Sequence, residues 1–262
     1  MSNERFSNEV RRFNTVEFTA DRQRPGRTAG RNTLIAFSTA FADDQEPTDI
    51  RSTETDATGM ALGSPVLERT RNLQRSNLSS LAIDHTRPLK DGLRLVTGYK
   101  GMLRLLEADI TTETEANGTF SEVPGRVDLF TFTEHIHALY TQFDGGRGPD
   151  TAARWNWQIG LRMEQVWNTT TSELLQTNRG NDYFNLFPSA KIKRTHGDAS
   201  TSALSYGRRI NRPGLGQLNP FIDITDSLNQ YGGNPALVPE LVDAIELAHD
   251  RSVRKGDLGL RA

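Results

Sequence analysis

Between positions 155 and 167 the chain alternates over a longer run than a soluble sheet strand usually sustains. Trp155, Trp157, Ile159, Leu161, Met163 and Trp167 take every second place, with Asn156, Gln158, Gly160, Arg162 and Glu164 between them. Successive side chains of a strand point to opposite faces, so this pattern reads as a strand with one apolar and one polar face. Only Gln165 interrupts the apolar face, and tryptophans stand at both of its ends. For a strand tilted by about 45°, the path from Trp157 to Trp167 rises about 23 Å, close to the roughly 25 Å apolar band and aromatic girdles of an outer-membrane barrel.

Composition narrows the choice further. Of 262 residues 35% are hydrophobic, and the mean hydropathy is -0.58, a poor supply of side chains for a conventional packed interior. No run approaches the roughly 18 to 20 apolar residues of a membrane helix, so a bilayer would be crossed only by strands closed into a barrel. Lys and Arg number 31 against 33 Asp and Glu, a formal net charge of -2, which gives no general reason to bind nucleic acid. Cysteine is absent, which removes disulfides, thiol catalysis and thiolate zinc sites and is compatible with an oxidising periplasm. Residues 1–12 are polar and charged without the apolar centre of a secretory signal, so an exported chain is expected to have lost its beginning.

Other segments repeat the alternation. Leu93, Leu95, Tyr99, Leu103 and Leu105 share one face, as do Phe130, Phe132, Ile136, Ala138 and Tyr140, and both runs are long for soluble strands. Val16, Phe18 and Ala20 predict a strand before the turn at 25–30, Ile35, Phe37 and Phe41 one after it, and Leu81 and Ile83 one before the turn at 88–92. Further short connections rich in Gly, Pro or Asp are expected at 144–149, 195–198 and 255–257, and longer polar ones at 42–77, 111–126 and 210–239. Alternation of short and long connections is the barrel pattern, and it predicts about ten strands. Leu241, Val242, Ile245 and Ala248 fit helical as well as strand spacing, and Lys191, Lys193 and Arg194 put charge on both faces of their strand. The expected architecture is all-β: an antiparallel, up-and-down transmembrane barrel, partial, over residues 13–262, preceded by a polar segment at 1–12.

Four ordered motifs then point to a family. They are 185–190 (NLFPSA, with Asn185, Phe187 and Pro188), 205–213 (SYGRRINRP, with Arg208, Arg209, Asn211, Arg212 and Pro213), 217–221 (QLNPF, with Asn219 and Pro220) and 233–240 (GNPALVPE, with Asn234, Pro235, Pro239 and Glu240), followed by Glu246 and Leu247. In order and spacing the chain resembles the C-terminal half of TonB-dependent receptor barrels of the outer membrane beta-barrel family common in Bacteroidetes. The likeness is strongest over 181–250; residues 13–170 share only its hairpin pattern. The resemblance implies a barrel of about 22 strands closed by an N-terminal plug domain. It also implies uptake of a scarce ligand with energy relayed by TonB, and an outer-membrane location. On backbone chemistry alone, Pro213 and Pro220 cannot donate to a ladder, so 210–221 is expected to end a strand and shape a loop. Asn234-Pro235 and Val238-Pro239 are expected to hold the chain extended as it re-enters the wall. Arg208 and Arg209 are neighbours on a strand and point to opposite faces.

Few residues suggest chemistry. His135 and His137 share a strand face, but no third ligand follows from spacing, and a lumen-facing polar pair is the better reading. Asp43, Asp44, Glu46, Asp49, Glu54 and Asp56 lack the regular spacing of a calcium loop and read as a solvated loop. Asn77, Asn117 and Asn168 begin short glycosylation-like strings that arise often by chance. No G-x-S-x-G, H-E-x-x-H or P-loop string occurs, so no enzyme, metal or cofactor is expected. Trp155, Trp157 and Trp167 read as membrane-interface anchors rather than a sugar platform. The partners expected are outer-membrane lipid, a plug domain and through it TonB, and an imported ligand whose contacts no residue identifies. The rival readings are a non-transporting structural or adhesive β protein that binds a partner through its loops, and a fragment without independent function.

Overall fold

Alternation on this scale requires neighbours for every strand, because an unpaired backbone is costly in lipid. A computed structural model describes residues 2–147, 154–196, 200–222, 230–253 and 256–261 and arranges them in a 12-stranded antiparallel sheet. The strands are β1 (Ser2–Glu9), β2 (Arg12–Pro25), β3 (Asn32–Gln45), β4 (Thr48–Thr55), β5 (Val66–Pro88), β6 (Arg94–Ala116), β7 (Thr119–Arg147), β8 (Trp155–Ser172), β9 (Thr177–His196) and β10 (Ser200–Asn211). A one-turn helix α1 (Leu215–Leu218) follows, then β11 (Glu240–Val253) and β12 (Gly256–Arg261).

The twelve strands make ten staves. Arg12 lies opposite Gln45 and Glu9 opposite Thr48 in one unbroken register, so β1 with β2, and β3 with β4, are each one stave. The break in the second is Pro47, which has no N–H to donate; its carbonyl still accepts from Val10 N–H at 3.2 Å. Residues set apart on sequence as a polar segment at 1–12 therefore include β1, the far half of the first stave. From there each stave pairs with the next, and among the described residues β1, β2 and β12 pair on one side only, so the sheet is not closed. The 240–253 segment, ambiguous on sequence, is the strand β11, held between β10 and β12.

The short connections at 26–31 and 89–93 lie where the turns were expected. Those expected at 144–149, 195–198 and 255–257 fall in part outside the described residues, and the strands they join pair up to Arg147 and Trp155, His196 and Ser200, and Val253 and Gly256. At the opposite rim the expectations need correcting. The segment 111–126 is not a long loop: β6 and β7 continue to a hairpin closed by Asn117 (φ 53°) and Gly118 (φ 79°). Both residues sit in the left-handed region that this tight turn demands. The ladder slips once, where 123–126 bulge opposite Thr112. Most of 42–77 is also strand, leaving 56–65 as the loop, so the acidic residues read as loop from 43 to 54 lie mainly on β3 and β4. β8 and β9 meet in another short turn, 173–176. Beyond the membrane both faces of a strand meet water, so pairing persists while apolar alternation, its sequence signal, disappears.

One of these extensions carries a pH dependence. A hydrogen bond with Glu9, then burial, hold the Glu46 carboxyl above the usual carboxylate range. Folding therefore retains a proton that the unfolded chain releases; this stabilisation is present below the ordinary pKa of 4.5 and is lost as pH rises through the elevated value. Amide exchange at Val10 and Glu46, corrected for intrinsic rate, should quicken over that range. E46Q should abolish the trend, and a slope unchanged in E46Q would remove the pair as its cause.

The two faces of the sheet differ in kind. One face is bare and apolar: Val16, Phe18, Ile35, Phe37, Leu81, Ile83, Leu95, Leu139, Phe143, Ile159, Leu161, Leu186 and Leu204 follow one another through the registers. Phe18 is 59% exposed and Ile159 57%, values that water does not tolerate over so wide an area and lipid does. The other face is covered in part by residues 212–222 and 230–239, with Ala108, Phe130, Phe132 and Leu218 buried together and Leu106 and Leu215 against them. In β7, Phe130, Phe132, Ile136, Ala138 and Tyr140 do share one face, the covered one, and the bare face of that strand is formed by Leu139 and Phe143.

Candidate functional site

On the covered face, the positions that alternate with the belt carry charge. Asp84, Arg104, Glu134, Tyr140, Arg162, Glu164 and Tyr183 come from five consecutive strands, β5 to β9. Glu134, 3% exposed, has Arg104 Nη1 at 3.4 Å from Oε2. Glu164, 5% exposed, accepts from Arg162 Nε at 2.6 Å on one oxygen and from Arg212 Nη2 on the other. Arg212 also donates from Nε to the Tyr183 hydroxyl at 3.1 Å. Tyr140 donates to Asp84 beneath the Arg162 guanidinium. Charges taken this far from water need partners on each oxygen and nitrogen, and the two oxygens of Glu164 have them.

Arg212 ties the loop to the wall. β10 ends at Asn211 as expected; Pro213 follows, and Leu218 of α1 enters the Phe130–Phe132 pair. The far end of the segment returns to the same place, with Gly233 N–H bonded to Asn219 O at 2.7 Å and Asn234 N–H to Gln217 O at 2.6 Å. A Cβ on Gly233 would stand 2.5 Å from those two carbonyl oxygens, so this approach needs glycine. Asn219 Oδ1 accepts from Phe221 N–H at 3.0 Å, across Pro220. Asn234-Pro235 does not hold the chain extended as expected: Asn234 Oδ1 accepts from Ala236 N–H at 2.8 Å, and a turn results. Pro213, Pro235, Leu237 and Pro239 then lie over Phe132, Asn168 and Tyr183 before β11 starts at Glu240.

Nearer the short-turn rim the covered face opens into two polar cavities. One of about 630 Å³ is bounded by Arg94, Asp144, Asn156, Gln158, Lys191 and Lys193, with Arg94 and Asp144 paired at 2.7 Å. The other, about 340 Å³, lies between Gln158, Ser189, Lys191, Arg209 and Glu246. Lys191 and Lys193 thus face inward, opposite Gln158 and Asn156. The conflict expected at this strand is resolved: Phe184, Leu186, Ala190 and Ile192 lie on its bare face, and of Lys191, Lys193 and Arg194 only Arg194 joins them, 5.0 Å from the ring of Trp155.

The motif residues fall on both faces. Asn185 and Phe187 look inward, and Pro188 lies on the bare face opposite Leu161. Pairing of β9 with β10 stops at Ser189, one residue short of this donorless proline. Arg208 and Arg209 do diverge: Arg208 lies on the bare face and donates from Nε and Nη2 to the two oxygens of Asp243, each at 2.9 Å, and Arg209 faces the cavity. Asn211 pairs with Glu240. Trp155, Trp157 and Trp167 all stand on the bare face, the outer two 42% and 43% exposed. His135 and His137 are not lumen residues; they share that face, His135 opposite Trp167 and His137 bonded to the Tyr99 hydroxyl at 2.7 Å and edge-on to Trp167. Sequence reasoning passed over Glu134, Glu164 and Tyr183. Their signal was a charge or hydroxyl at the inward places of a strand whose outward places are apolar.

Comparison with known proteins agrees with this architecture. Residues 27–260 match the family model described as "Outer membrane protein beta-barrel family". Curated protein sequences give no match. Among solved structures, BauA, the ferric preacinetobactin receptor from Acinetobacter baumannii, superposes with a TM-score of 0.54 at 8% identity over 94% of this chain and 36% of that one. The copper transporter OprC gives a TM-score of 0.49 at 13% identity over 86% of this chain and 36% of its own. The chain thus spans about a third of the length of these structures.

Proposed function

The chain belongs to the outer membrane protein beta-barrel family, and from that premise we propose that it is the C-terminal barrel portion of a TonB-dependent receptor of the Bacteroidetes type, importing a scarce ligand across the outer membrane. The observation that carries this reading is the contrast between the faces. A bare apolar belt backs onto an inward wall lined with Arg94, Asp144, Lys191, Lys193, Arg209 and Glu246. A polar interior suits a channel or a plugged lumen, whereas an adhesive sheet with a single dry core has no use for it. In this reading Trp155, Trp157 and Trp167 anchor the two membrane boundaries, and the charged wall meets the plug domain that answers to TonB. The inward-folded residues 212–222 and 230–239 narrow the path beside it. The chemistry is binding and passage rather than catalysis.

The reading frame around these codons tests the proposal directly. A signal peptide and plug domain upstream, with further alternating strands alongside, are expected. A frame encoding these residues alone would exclude energised import and leave the structural or partner-binding alternative.

A further inference from the structure

At the short-turn rim of β8 to β11 the bare face changes character within two residues. Trp157, Ile192, Leu204 and Leu247 stand opposite one another in an apolar row. The next outward row is Trp155, Arg194, Ser202 and His249, and beyond it lie His196, Ser200 and Arg251. Ser202 Oγ is 2.9 Å from both His196 Nε2 and His249 Nδ1, and Ser200 Oγ is 3.3 Å from His249 Nε2. The Arg194 guanidinium lies over the Trp155 ring, which holds it at this height. Two guanidinium groups, two imidazoles and two hydroxyls are thereby gathered on three adjoining strands, while the described carboxylates of β11 nearest to them, Glu246 and Asp250, take the opposite face.

We propose that this cluster binds the phosphate headgroup of an anionic phospholipid whose acyl chains lie along Trp157, Ile192, Leu204 and Leu247. Phosphate oxygens accept several charge-assisted hydrogen bonds at once, and arginine and serine on adjacent strands present donors at the spacing of one headgroup. The apolar row above fixes the source: a free anion has no use for it, whereas a lipid fills both rows. The site depends on the lipid-facing side of the sheet and stands whether or not the protein imports a ligand.

Two of the 3 tryptophans, Trp155 and Trp157, border the site, so their fluorescence reports on it. The full chain is placed in phosphatidylcholine bilayers, and quenching by brominated phosphatidylglycerol is compared with quenching by brominated phosphatidylcholine. About a five-fold preference for the anionic lipid is expected from each arginine at the surface. R194Q/R251Q should erase the preference and R194K/R251K should keep most of it. Equal quenching by the two lipids in the unaltered protein overturns the proposal, even where the glutamine pair fails to insert. A preference that survives R194Q/R251Q overturns its location, and reversal of the quenching by inorganic phosphate shows a free-anion site instead of a lipid site.

Discussion

Arg212→Met is expected to detach residues 212–222 from the inner wall without unpairing the strands. The substitution removes both donors to Glu164 and Tyr183 and leaves Glu164, 5% exposed, with an oxygen that Arg212 alone had satisfied. Breaking one side of a buried pair costs about 3 to 5 kcal/mol. Burial of Leu218 against Phe130 and Phe132 opposes release and contributes about 1.5 to 3 kcal/mol, less than the loss. The segment should then open in a large fraction of molecules. Limited proteolysis and amide exchange at 215–218 measure this: both should rise steeply in the variant while β7 and β8 stay protected. E164Q/R212M, which removes the stranded charge, should recover part of the protection. Equal cleavage of R212M and the unaltered chain would mean that the apolar contacts alone hold the segment.

Placing a charge on the belt should be nearly as damaging, and it tests the assignment of faces. Leu161 lies on the bare face midway between Trp155 and Trp167, opposite Thr141 and Pro188. Leu161→Arg is expected to cost about 2 to 4 kcal/mol, the penalty for arginine near the bilayer midplane. Ser189→Arg provides the contrast, because Ser189 faces the polar cavity beside Lys191 and Arg209, where water and Glu246 can receive the charge. Urea-dependent unfolding from lipid vesicles should separate the two by at least the smaller of those penalties. Similar losses for both, or a greater loss for S189R, would reverse the sides of the wall.

Much of this was legible in advance because period two is a local property. The run from Trp155 to Trp167 needed no partner to be read as a strand with an apolar face, and the pairs around 25–30 and 88–92 announced their hairpins through Pro and Gly. The count of about ten staves followed. Where the membrane belt ended, so did the pattern. Residues 111–126 carry few apolar side chains, which predicts a loop, although Asn117-Gly118 is a hairpin turn in its own right.

Which side of a strand faces lipid is a different kind of fact. In β7 both alternating sets hold apolar residues, Phe130, Phe132, Ile136 and Ala138 on one and Leu139 and Phe143 on the other, so periodicity establishes two faces without ranking them. The choice falls to Leu218, 88 residues further along from Phe130, whose packing buries one set and leaves the other to the bilayer. The same holds for Glu164 and Arg212, distant in sequence and joined only when the segment after β10 folds back across β8. Strand and turn propensities act between neighbours and can be read along the chain; the partner of a buried charge, and the face that is covered, depend on contacts that form only when distant segments meet.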